Sequence, residues 1–132
     1  MKKINCVFCE IIEKKEIYAI EQNETCIAFL DRNPVSKGHI LVCTKDHFEV
    51  FHQIEKQKIK LDLINLISSV TLLLSEKISC DYNIYQANGI HAEQSINHVH
   101  FHIIPRFHND NVNIELPTDK EINIIETINS IK

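Results

Sequence analysis

Residues 98–104 read His98-Val99-His100-Phe101-His102-Ile103-Ile104. Strict alternation of imidazole and apolar side chains has the period of two that belongs to a β-strand. His98, His100 and His102 then share one face, and Val99, Phe101 and Ile103 share the other, where they can pack on a helix. Neighbouring histidines on that face are roughly 6.5–7 Å apart, twice the rise per residue. That spacing suits groups acting on different atoms of one ligand. Imidazole titrates near neutral pH and serves as nucleophile, acid, base or metal ligand. The competing readings are an incidentally polar strand face and a purely metal-binding strand, for which neutral imidazoles suit zinc or copper.

Outward from this strand, Pro105 lacks the donor a sheet ladder needs and predicts its end. Upstream, Asn88-Gly89 is a turn signal and Tyr82–Gln86 reads as a strand. Lys56 to Ile78 is the clearest helix, with Ile59, Leu63, Leu66, Ile67, Val70, Leu73, Leu74 and Ile78 at steps of three and four. Leu61, Ile64 and Leu72 fall outside that stripe and predict a second buried face, hence a homodimer. Further upstream, His39–Thr44, Thr25–Leu30 and Ile17–Ile20 read as strands, separated by a loop at Asp31–Lys37 and a polar turn at Glu21–Glu24. A short helical turn is expected around Phe8–Glu13. A last helix is expected from about Asp119 to Ile131, started by a Thr118/Glu121 capping box, with Ile122, Ile125 and Ile128 on one side. This order predicts an α+β fold with an antiparallel sheet. The two glycines, Gly38 and Gly89, both flank histidine-bearing segments.

At 132 residues the chain suits one domain spanning 1–132. With 44% hydrophobic and 24% charged residues it reads as globular rather than disordered. A net charge of −4 without a basic block argues against a grip on long nucleic acid, but leaves room for a nucleotide. The opening residues lack the apolar run of a signal peptide, and no stretch has the length of a membrane span. A reducing cytoplasm is the expected location. The odd count of five cysteines then argues against disulfides, and Cys6 with Cys9 suggests a metal or packing role. Cys26, Cys43 and Cys80 read as small apolar fillers.

The strand 98–104 resembles the signature of the histidine triad family, three histidines alternating with apolar residues, and Pro105-Arg106 continues it. The likeness extends to Cys6-Val7-Phe8-Cys9, Ala28-Phe29-Leu30-Asp31, Gly38-His39-Ile40-Leu41-Val42, Lys45-Asp46-His47 and Gln94-Ser95. It therefore covers residues 6–106 in order, with residues 107–132 as a C-terminal extension. The fold it implies is a sheet of about five antiparallel strands with one long helix and a C-terminal helix.

The resemblance also implies a reaction. His100 would attack the α-phosphorus of an adenine nucleotide, forming a nucleotidyl-histidine that water then hydrolyses. His102 and His39 would hold phosphate oxygens or the leaving group. Asp31 would grip the ribose, Phe8 and Phe29 would wall the base, and Ser95 with the backbone near Gln94 would add donors. Cys6, Cys9, His47 and His98 resemble the structural Zn²⁺ set of one branch of the family. Two positions depart from the common pattern. Ala87 stands where many members carry Asn, and Glu93 where many carry Gly; both bear on the leaving group. A dinucleoside polyphosphate and a nucleoside phosphoramidate are equally compatible substrates. The competing functions are a zinc-stabilised nucleotide-binding module with little turnover and a metal-trafficking protein.

Overall fold

The computed structural model describes residues 2–15 and 19–132. Five strands form one sheet in the order β1-β2-β3-β5-β4, and every neighbouring pair is antiparallel. They are β1 (Ala19–Gln22), β2 (Cys26–Leu30), β3 (Ile40–Thr44), β4 (Tyr82–Tyr85) and β5 (His100–Pro105). The helices are α1 (Val7–Lys14), α2 (Gln57–Lys77) and α3 (Ile124–Ile131).

The central strands β2 and β3 are apolar on both faces because both faces are covered. Cys26, Ala28, Ile40, Val42, Val99 and Ile103 pack against the α2 stripe of Ile59, Leu63, Leu66, Ile67, Val70 and Leu74. Ile27, Phe29, Leu41 and Cys43 point the other way, onto Cys6, Phe8, Cys9 and Ile11 of the α1 region. The histidines lie on this second face, since His100 pairs with Cys43 and His102 with Leu41. Val99 and Ile103 are buried toward α2 and Phe101 packs there in part, as the alternation predicts. In α2, Leu73 is exposed rather than in the core, because it sits on the flank of the stripe. Asp62 takes a buried position instead, accepting from Thr25 Oγ1 at 2.8 Å and from Lys58 Nζ at 2.9 Å.

Several boundaries differ from expectation. Strand β5 starts at His100, because the Val99 N–H leaves the ladder to bond the Phe48 carbonyl at 2.7 Å. Pro105 is the last strand residue, opposite Tyr82, rather than the stop before it. Glu21 and Gln22 belong to β1 and not to a turn, while Ile17 and Tyr18 lie outside the described residues. Helix α3 begins at Ile124, capped by the Asn123 side chain accepting from Glu126 N at 3.0 Å. Thr118 and Glu121 start no helix, because the capping side chain is that of Asn123, and none of the isoleucines of α3 is buried. Cys80 is exposed, whereas Cys26 and Cys43 are buried fillers as expected.

Gly38 seats the chain for β3. At φ +89 the conformation favours glycine, and an added Cβ would press on Pro105 Cγ at 3.2 Å and Ile78 Cγ2 at 3.3 Å. The next residue is His39.

Candidate active site

His100 is buried on the α1 side of β5, with the Phe8 ring edge-on at 5.0 Å between centroids. Its Nδ1 lies 2.7 Å from the His98 carbonyl oxygen. A carbonyl only accepts, so the proton sits on Nδ1 and Nε2 carries a free lone pair. Burial lowers the pKa of His100 and keeps the ring neutral.

His102 is oriented by a different chain of bonds. The Val35 N–H donates to His39 Nδ1 at 3.1 Å, so the His39 proton is on Nε2. That N–H faces His102 Nδ1 at 2.9 Å, with Asp31 Oδ2 at 3.4 Å. His102 Nδ1 therefore accepts, and its proton is on Nε2. Burial lowers the pKa of His39 and pushes His102 down to about 4. The His100 and His102 rings have centroids 5.0 Å apart, nearer than the pleat repeat. Asp31, His39 and His102 lie close enough to hold a metal ion. The Val35 bond argues against that use, since it leaves His39 Nε2 a proton and no lone pair.

A cleft of about 490 Å³ opens on this face, lined by Phe8, Phe29, Asp31, Ser95, His100 and His102 among others. Phe8 and Phe29 meet edge to face at 5.6 Å and form its apolar floor. Asp31 is held by Asn33 N, which donates to Oδ1 at 2.9 Å. Gln94 does not line the cleft. Its side chain accepts from Gly89 N at 2.8 Å and donates to Glu49 O at 2.7 Å, and its N–H bonds the Gly89 carbonyl at 3.1 Å. It braces the loop that carries Ser95. His91 is exposed in that loop, and His52 and His108 are also at the surface.

A second cluster joins α1, the residues after β3 and the entry to β5. The ligand atoms of Cys6, Cys9, His47 and His98 all lie within 4.8 Å of one another and could hold a metal ion. The donor chemistry fits one. His98 is fully buried and donates Nε2–H to the Thr44 carbonyl at 2.7 Å, which leaves Nδ1 bare, 3.4 Å from Cys6 Sγ and 3.5 Å from Cys9 Sγ. Burial pushes His98 down to about 4 and raises the Cys9 thiol. His47 Nδ1 faces Cys9 Sγ at 3.4 Å, while its Nε2 is buried without a hydrogen-bond partner. Cys9 N donates to Cys6 Sγ and Lys3 N to Cys9 Sγ, both at 3.4 Å. Cys6 is the N-cap of α1, where the helix dipole favours negative charge.

The histidines, cysteines and aspartate expected to act on the phosphate, the ribose or a metal thus fall into two groups, Asp31, His39, His100 and His102 in one and Cys6, Cys9, His47 and His98 in the other. The sequence reading missed Val35, whose backbone sets the His39 tautomer. No side-chain pattern could have revealed it.

The HIT domain family profile matches residues 13–109. An uncharacterized HIT-like protein of Methanocaldococcus jannaschii is 40% identical over 96% of this chain and 98% of its own length. The adenosine 5'-monophosphoramidase of Schizosaccharomyces pombe is 39% identical over 78% of this chain and 75% of its own. The crystal structure of a histidine triad nucleotide-binding protein from Candida albicans superposes with a TM-score of 0.78 at 27% identity, covering 96% of this chain and 92% of that one.

Proposed function

The chain belongs to the HIT domain family, and on that premise we propose that it is a hydrolase acting at the α-phosphate of an adenine nucleotide through a nucleotidyl-histidine on His100. The observation that carries this reading is the bare Nε2 of His100, facing a cleft with an aromatic floor and a carboxylate. The similarity to a relative named adenosine 5'-monophosphoramidase supports a nucleotide substrate with adenine as its base.

The His100 Nε2 lone pair forms the N–P bond, and the bond from phosphorus to the leaving group breaks with its electron pair going to that group. An amine leaving group then takes a proton from solvent. The His98 carbonyl holds the Nδ1 proton as the ring becomes cationic. His102 Nε2–H donates to a phosphate oxygen, and His39 acts through His102 as a positioning residue. Water then attacks phosphorus, the N–P pair returns to His100, and the nucleoside monophosphate departs. A Zn²⁺ held by Cys6, Cys9, His47 and His98 would supply structural cross-linking only, since four protein ligands leave no open position. Thiolate ligands suit a reducing cytoplasm.

The testing experiment incubates the protein with labelled adenosine phosphoramidate, quenches in denaturant and looks for AMP attached to protein. Label on the chain supports the reading. Nucleotide binding with neither label nor product would favour the binding-module alternative.

Asp31→Asn should raise KM for ribonucleotides by the worth of a hydrogen bond to a charged group, about 1–3 kcal/mol. Deoxyribonucleotides should lose less. Equal losses measured on both would remove Asp31 from the ribose.

The quaternary state follows from α2. Leu61, Ile64 and Leu72 are 52%, 61% and 61% exposed and form one stripe away from the core. We expect a homodimer at micromolar concentration that buries this stripe. A monomeric mass by light scattering would refute it.

A further inference from the structure

A second cleft lies on the far side of His102. Its volume is about 480 Å³, and it meets the first cleft at His102 without reaching His100. An in-line displacement by His100 sends the leaving group to the side away from the nucleophile, and this second cleft borders His102 but not His100. Its walls are apolar at Tyr85, Ile104, Ile114 and Leu116, and its acidic groups are Glu93 and Glu115. Among the described residues no lysine or arginine lines it, and burial holds the His39 and His102 rings neutral.

The segment bearing Glu115 is anchored. Arg106 donates to Asp110 through Nε at 2.8 Å, to Asn83 Oδ1 at 2.8 Å and to the Val112 carbonyl at 2.6 Å. Glu93 stands at φ +63, a left-handed position that favours glycine, so its carboxylate is carried there at a cost in backbone strain.

We propose that this cleft is the leaving-group subsite and that Glu93 and Glu115 make it select neutral or cationic amines over anionic phosphate groups. The inference rests on the hydrolase reading and decides between its two substrate classes. A polyphosphate tail would bring several negative charges against two carboxylates with no cation to offset them. An amine released from a P–N bond brings none, and a second ammonium on its alkyl chain would be attracted.

Three adenosine 5'-phosphoramidates test this. Their leaving amines have equal chain length and a distal group of charge plus one, zero or minus one. The full-length protein should turn over the cationic compound roughly tenfold faster than the anionic one in kcat/KM, as a few partly screened charge pairs would give. Added salt should narrow the gap. In Glu93→Gln/Glu115→Gln the ratio should fall to about one, whereas Glu76→Gln, on the exposed side of α2, should retain it. Equal rates on all three compounds, or a ratio the double variant leaves unchanged, would overturn the charge reading alone. If none of the three labels the protein or is hydrolysed, the hydrolase reading falls with it.

Discussion

His100→Ala is expected to abolish turnover, by more than 10⁴-fold, with nucleotide binding and the fold retained. The argument is an inventory of imidazole lone pairs. His98 Nε2 donates to Thr44 O and its Nδ1 faces two sulfurs. His39 Nδ1 is taken by the Val35 N–H, and its Nε2–H occupies His102 Nδ1. His102 therefore presents an N–H to the cleft, which can donate but cannot attack. Among these four rings only His100 has a bare nitrogen available to the cleft, and losing it removes the bond-forming atom. Loss of acid–base assistance alone would cost about 10²–10⁴-fold, so a loss no larger than that argues for a different role. The quench experiment separates the cases: the variant should bind nucleotide and carry no label. An His100→Ala protein that accumulates adenylated chain, or turns over within about tenfold of the unaltered protein, overturns the mechanism.

Much of this site is legible in the sequence because its periodicity is simple. Alternation over 98–104 places His100 and His102 on one face and Val99 and Ile103 on the other, and the helical stripe of α2 identifies what covers the second group. The tautomers are not legible. They depend on the Val35 amide and the carbonyls of His98 and Thr44, backbone groups that every residue carries and whose partners only the fold decides. The starts of β5 and α3 differ from the sequence expectation for a related reason. The Val99 N–H leaves the ladder for the Phe48 carbonyl and the Thr44 carbonyl holds the His98 ring, while α3 starts where the Asn123 side chain caps it. The resemblance gives donors to the backbone near Gln94; what it does not reveal is that the Gln94 side-chain amide bonds Gly89 and Glu49.

Cys6→Ser/Cys9→Ser is expected to lower Tm by more than about 10 °C while affecting the chemical step less. Loss of a bound structural metal belongs to the small set of changes that cost more than about 4 kcal/mol, and a chain of this size loses several degrees per kcal/mol. The cluster tethers α1 to the residues after β3 and to the start of β5 through side chains 38 to 92 residues apart in sequence. Few other contacts replace it, since α1 otherwise rests on Ile27, Phe29 and Leu41 through Phe8 and Ile11. Chemistry should suffer less because the His100 tautomer is set by the His98 carbonyl and the His102 tautomer by His39, neither of which uses a sulfur. Two effects compete in such a variant, loss of the metal and loss of apolar sulfur from the core, and a chelator separates them. In strong chelator the unaltered protein should melt within a few degrees of the double variant, because both then lack the ion and the Cys-to-Ser change alone is small. Protein purified without chelator should carry one zinc per chain by elemental analysis, and the variant none. Absence of zinc from the unaltered protein, together with a Tm that chelator does not move, would sink the metal assignment and leave Cys6 and Cys9 as buried thiols packed on the His98 ring.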